Sequence, residues 1–389
     1  MPNGPAPTVR FSRRGAGKPG RRRILKAIAG AAAMAASGPW IVKDAFSSSG
    51  ELDLLHWTEG LPDSIVVDFE SKTGIKVNAT KFVRPEAEIA ALQATKGQGY
   101  DLCQPNREQA RQFQELGLLQ PYDLDKLPAH DSVLPFVMEA AVSAWTWDGK
   151  LYHLPHCWGS EAIAWRTDLW SRGPAGLSYG DLWGIGAKGK LLCRPRSLLI
   201  GIGLWKDATG ELPSNRMLDA FKDEAAAGKL VEPLANFAIA HRSWIKRLWV
   251  DADDIATGFT DGGCAIGQTW DWPIDGLRQQ GKPVAFGAPK EGAIAWLLGW
   301  SMPSAAQNVE QAYAWLNYLL TPEVAAQLTD GSGHNPVVTG ADALLSPGAA
   351  ALFRQTYPGD ALTRLWWQPP EPPWYRGILD GFAKQLASA

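Results

Sequence analysis

The sequence has no apolar run long enough to cross a bilayer, which takes about 18 residues or more, so nothing in the processed chain spans a membrane. Its four cysteines (Cys103, Cys157, Cys193, Cys264) form no C-x-x-C pair and match no zinc spacing. They suit an oxidising compartment, and whether they pair stays open. There is no G-x-S-x-G, no H-E-x-x-H and no Walker phosphate loop. The Gly-rich stretch GIGAKGK lacks the strand-to-helix context such loops need. Catalysis is left without candidates, and no cofactor is expected.

What the chain does have begins with a segment unlike the rest. Nine of the 38 basic residues but only one of the 40 acidic ones, Asp44, fall in the first 49 positions. Within them RRRILKAIAGAAAMAASG runs from a basic cluster through a modest Ala-rich stretch to small residues, the order of an export signal. Arg22-Arg23-Ile24-Leu25-Lys26, preceded by Arg21, is similar to the bacterial twin-arginine signal, with cleavage after Ala36 or Ala45. A basic arm for nucleic acid would not need the Ala-rich run. Without residues 1–49 the chain keeps 29 basic and 39 acidic residues, a formal net of −10. That balance disfavours nucleic acid and anionic lipid as partners.

The remaining 340 or so residues are long enough for two domains. LDLLHW reads as a buried strand. Leu61, Ile65, Val66 and Phe69 share a helical face after Pro62, with Gly74 as the stop. IKVNAT alternates as a strand, residues 84–98 are helical, and YDLC is a third strand. This β-α-β-α-β order implies right-handed crossovers and a parallel sheet. Further on, residues 107–118 read as an amphipathic helix and LYHLPHCWGSEAIAW as a strand pair. GKLLC and GGCAIGQTW read as strands, residues 214–227 as a helix, and EQAYAWLNYLLTPEVAAQL as one periodic helix.

Ligands of open parallel sheets bind beyond the carboxyl ends of the strands. Trp57-Thr58-Glu59 and Gln104-Pro105-Asn106 both sit at such ends, so that corner is expected to be a binding mouth. Nineteen tryptophans are far more than one ligand needs, and most must be core. Trp57, Trp270 and Trp296 stand out by their position at strand ends; Trp158 and Trp272 are weaker. Arg194 and Arg196 in CRPR follow a strand directly, and Asp271 stands between two tryptophans in TWDW. His153, His156, Cys157 and Glu161 invite a zinc reading, but alternate residues of a strand face opposite ways and do not chelate together easily.

Several stretches together resemble the spermidine/putrescine-binding family of bacterial periplasmic solute-binding proteins of ABC transporters. They are WTEGLPDSIVVDFESKTGIKV, GYDLCQP, LYHLPHCWGSEAIAW, LSYGDLW, KGKLL, GFTDGGCAIGQTWDW, PKEGAIAWLLGWSMP, AYAWLNYLLTPEVAAQL and GHNP. The resemblance implies an α/β, two-lobed periplasmic binding protein fold, each lobe a mainly parallel sheet flanked by helices, with the ligand cleft between. The first lobe would comprise residues 50–155 plus 297–345, and the second 156–296 plus 346–389. It further implies a monomer in the periplasm that closes on a small amine-containing solute and hands it to a membrane permease. Carried over residue by residue, Trp57, Thr58, Glu59, Trp270 and Trp296 match the family's ligand contacts, Gln327 corresponds to a polar contact on the late helix, and Asn106 stands where a small hydroxyl residue is usual. Iron is not implied, since the superfamily's ferric binders use adjacent tyrosines and no Tyr-Tyr pair is present.

The departures are specific. Arg194, Pro195, Arg196 and Leu199 stand where the family's paired acids are expected, Leu298 replaces another acid, and Gly60 and Glu108 replace aromatics. Glu59 alone survives of the ammonium-binding carboxylates, with Asp271 a candidate replacement. Arginines there favour a less cationic ligand, a zwitterion or anion held by Arg194 or Arg196. The sequence also leaves open a metal-dependent enzyme at His153, His156 and Glu161, and a sensor subunit that docks on a membrane receptor.

Overall fold

Leu52, Leu54 and Leu55 are buried along β1 (Glu51–Trp57), as a strand covered on both faces requires. The computed structural model describes residues 50–171, 173 and 176–389. The expected export signal and its cleavage site, within residues 1–49, lie outside the described residues. β1 pairs in parallel with β2 (Lys76–Phe82) on one side and β3 (Leu102–Cys103) on the other. The crossovers are α1 (Asp63–Thr73), which buries Ile65 and Phe69, and α2 (Pro85–Thr95). α1 stops at Gly74, whose φ of 72° a residue with a Cβ rarely adopts. The expected helix over 107–118 is a 3-10 turn, Arg107–Gln109, running into α3 (Ala110–Leu116), and α4 (Pro135–Trp145) follows.

A larger sheet is organised by β4 (Leu154–Arg166), buried over all but its last residue. Around it lie β5 (Leu191–Cys193), β6 (Ile245–Leu248), β7 (Ile266–Trp270), β8 (Val284–Gly287), β9 (Ile294–Trp300), β10 (Asn335–Pro336) and β11 (Trp366–Trp367). The path is β11-β9-β4-β7-β5-β6, with β8 and β10 also pairing β4. β4 runs antiparallel to β7, β8, β9 and β10, so this sheet is mixed, whereas the β2-β1-β3 sheet is wholly parallel. The first part of β4 pairs β9 and β10; its last part pairs β7 and β8. β5 leads into α5 (Pro195–Thr209), and α6 (Glu224–Ala240), α7 (Ala252–Thr260) and α8 (Asp271–Gln279) complete this half.

Two expected helices differ from those observed. Asn215, Arg216 and Met217 take φ values of 51°, 54° and 65°, three left-handed residues in succession. No helix can run through them. A 3-10 turn at Leu218–Phe221 follows, and α6 starts only after Asp223, whose carboxylate caps it by accepting from Ala226 N–H at 2.8 Å. The long periodic helix is two, α9 (Val309–Leu319) and α10 (Pro322–Ser332). Pro322 cannot donate to the turn before it and holds Thr321 extended (φ −86°, ψ 145°), which ends the first and starts the second. After α11 (Pro347–Thr356) and β11, the Pro-rich stretch leads into α12 (Pro373–Ser388), which buries Tyr375, Leu379, Phe382 and Leu386. All four cysteines are buried free thiols.

Candidate functional site

Strand ends and two helix starts converge on a cleft of about 730 Å³. β1 brings Trp57 and, just beyond it, Glu59; the turn after β3 brings Asn106 and Glu108; β7 ends at Trp270 and β9 carries Trp296. Arg194, extended at the N-cap of α5, and Arg196 in its first turn also line the cleft. Seven of the ten expected site residues therefore share one wall space: Trp57, Glu59, Asn106, Arg194, Arg196, Trp270 and Trp296.

The other three are placed elsewhere. Thr58 is exposed beside the mouth and its hydroxyl donates to Phe82 O at 3.1 Å. Gln327 is exposed on α10, outside the cleft lining. Asp271 is only 4% exposed and turned inward. It accepts from Ser160 N–H (2.8 Å), Trp272 N–H (2.9 Å), Asn335 Nδ2 (3.1 Å) and the Tyr357 hydroxyl (3.1 Å). Burial pushes its carboxyl up to about 6 against those donors. It ties strands together, which corrects its expected role beside the ligand.

The aromatic walls are individually fixed. Trp57 Nε1 donates to Gln104 O at 3.1 Å, its backbone N–H to Gln104 Oε1 at 2.9 Å, and its ring packs on Phe82 at 4.6 Å. Trp296 lies across Gly159, its partner in the β4–β9 register; a Cβ on that glycine would stand 2.1 Å from the indole. The indole Nε1 of Trp296 is buried with no hydrogen-bond partner among the described residues. His334, also in the lining, stands edge-on to Trp272 and Trp296. Trp270 is less free than its position suggests: the Arg194 guanidinium lies 5.0 Å from its ring and 4.7 Å from that of Trp249. Trp158 is fully buried and gives its Nε1–H to Pro336 O at 3.1 Å.

The charges show a simple rule. Each guanidinium in the lining is matched to a carboxylate also in the lining: Arg194 with Glu161 (2.6 Å), Arg196 with Glu371, and Arg376 with Glu86. Three lining carboxylates, Glu59, Glu108 and Glu115, have no ion pair among the described residues. With six acids to three bases the cleft is net negative. Partial burial, then Asp251 and Asp253 nearby, push the Glu59 carboxyl up. Burial raises Glu161 and Glu371 too, although Arg194 and Arg196 oppose it. Burial works against the charge on Arg196, but Glu371 and Glu108 outweigh it and hold the group protonated.

The expectation that Arg194 or Arg196 awaits an anionic group is not supported by this arrangement, because each already holds a carboxylate. Glu161 and Glu371 are the residues that sequence reasoning missed as partners. Glu161 stands beside histidines in the sequence, and Glu371 lies in WWQPPEPPWY, where one acid among prolines is the sole signal. His153 and His156 take separate partners, Ser301 Oγ (3.0 Å) and Cys157 Sγ (3.5 Å), and no group of three or more metal-ligating side chains is found among the described residues.

Residues 64–352 match the family described as bacterial extracellular solute-binding protein. The chain is 28% identical over 297 residues to the spermidine/putrescine-binding periplasmic protein of Escherichia coli, covering 76% of this chain and 80% of that one. A putrescine-binding periplasmic protein of the same organism is 28% identical over 287 residues, 72% of this chain and 75% of the other. Among solved structures, a spermidine/putrescine ABC transporter substrate-binding protein from Streptococcus pneumoniae superposes with a TM-score of 0.70 at 20% identity. The superposition covers 86% of this chain and 99% of that chain, so the two share a fold.

Proposed function

The chain belongs to the family of bacterial extracellular solute-binding proteins, and from that premise we propose that it captures a linear amine in the periplasm for an ABC transporter. Lobe closure traps the solute, and the closed form delivers it to a membrane permease. The chain has no catalytic role in this reading. The lobes are residues 50–155 with 297–345 and residues 156–296 with 346–389, and export is by the twin-arginine signal in residues 1–49.

One observation carries the reading: the cleft's guanidiniums are each cancelled by a carboxylate, and Glu59, Glu108 and Glu115 remain. An ammonium group gains charge-assisted hydrogen bonds from such carboxylates, while the methylenes beside it pack on Trp57 and Trp296. The relatives named for spermidine and putrescine agree with this choice. An anionic solute would meet surplus negative charge and would have to break an existing pair to reach Arg194 or Arg196.

Thermal unfolding against a panel of polyamines, betaines and amino acids tests it. A ligand at 100 times its dissociation constant adds about 2.7 kcal/mol of stability. Stabilisation by putrescine or spermidine is expected. Stabilisation by a zwitterion or anion alone contradicts the reading.

A further inference from the structure

Glu371 lies on a strap, Gln368 to Arg376, that follows β11, contributes to the cleft lining and lies beyond the stretch matched by the family, which ends at residue 352. Four prolines in the strap (Pro369, Pro370, Pro372, Pro373) restrict its backbone. Its place is fixed from the other side of the cleft: Glu371 N–H donates to Glu108 O at 2.8 Å, and Arg376 pairs with Glu86 of α2. Gln368 Nε2 donates to Glu371 Oε1 at 2.7 Å and orients the carboxylate. Arg196 reaches from the first turn of α5 to that same oxygen.

Arg196 and Glu371 form one neighbourhood, an ion pair to whose charge balance Glu108 adds without an ion pair of its own among the described residues. Glu59 belongs to another, with Asp251 and Asp253. A carboxylate in the cleft lining is what an ammonium needs, and at Glu371 a side chain of the protein supplies the cation instead. We infer that Arg196 is a tethered cation filling a subsite at Glu371, so that the cleft selects a short diamine over a longer triamine. A ligand that reached this end with a second or third ammonium would meet the guanidinium at close range, inside a cleft where charges are poorly screened. A short diamine held at Glu59 avoids it. The inference rests on the amine reading of the cleft, and it assigns specificity to a residue where ordinary anion recognition would have been expected.

The test is the ratio of spermidine to putrescine affinity, measured by calorimetric titration of the full chain and two variants. Arg196→Met frees the Glu371 carboxylate and is expected to raise the ratio on the order of tenfold, the effect of removing one like charge at cleft distances. Glu371→Gln keeps the guanidinium and removes its counter-charge, and is expected to lower the ratio. Because the two variants move it in opposite directions, either suffices if the other fails to fold. A ratio unchanged from wild type in the folded variants overturns the inference and leaves the amine reading standing. Failure of the wild-type protein to bind either amine overturns both.

Discussion

Arg194 bonds Glu161 through Nη2 and Oε2 at 2.6 Å while its guanidinium lies against Trp249 and Trp270. Glu161 is 1% exposed, and its second oxygen, Oε1, has no hydrogen-bond partner among the described residues. The pair thus satisfies a buried carboxylate with a side chain that also packs on two indoles. Removing the arginine alone leaves that carboxylate without its hydrogen-bonded counter-charge.

Arg194→Ala should therefore destabilise the protein by about 3–5 kcal/mol, the cost of a buried charge stripped of its partner. Arg194→Met combined with Glu161→Gln removes both charges and should recover most of the loss. Chemical denaturation of the single and double variants distinguishes this from a surface pair, for which both changes would cost under about 1 kcal/mol.

Gly159→Ala tests how Trp296 is held. The added methyl would start 2.1 Å from the indole, so the ring must move or the strands must part. Overpacking of this kind costs about 1–3 kcal/mol. A lower melting temperature together with weaker amine binding is expected. Unchanged binding in a folded variant would show that Trp296 does not form a wall of the ligand site.

Stability should fall with acid in a way that depends on the buried histidines. Burial, then His156, pushes His153 down to about 3; burial, then His334, pushes His156 down to about 3; burial pushes His334 down to about 4. In the unfolded chain each titrates near 6.5, so below that pH the unfolded state binds more protons. Their contribution is complete above about pH 6.5 and is lost as the pH falls towards the folded values, at about 1.4 kcal/mol per pH unit for each group. His156→Gln should be less acid-sensitive than wild type by that slope. Denaturation curves at three pH values between neutral and 5 would show the difference between the two proteins narrowing as acid is added; a constant difference contradicts the assignment.

The local steps of the fold were legible because they depend on short-range pattern. Buried leucines in LDLLHW, Pro62 and Gly74 bound β1 and α1 where expected, and the strand ends put Trp57, Glu59 and Asn106 at one mouth. What periodicity could not show was the backbone inside a polar stretch: three left-handed residues at Asn215 to Met217 displace a helix that composition alone favours. Arg194 and Arg196 line the cleft, but their meaning lies in partners 33 and 175 residues away, and no local signal carries that information. Asp271 and Trp270 are neighbours in sequence, yet the strand ends between them, and the first residue of α8 turns its side chain into the core. Gln327 follows the exposed face of α10, set by a helix break at Pro322 that a continuous apolar pattern hides.

The most direct test of the account is calorimetric titration of the purified protein with putrescine, repeated with Glu59→Gln. One binding site per chain, weakened on the order of tenfold or more when Glu59 loses its charge, is the result the account predicts. Absence of binding by wild-type protein, or equal binding by the variant, would contradict the claim that the unpaired carboxylates of this cleft hold an amine.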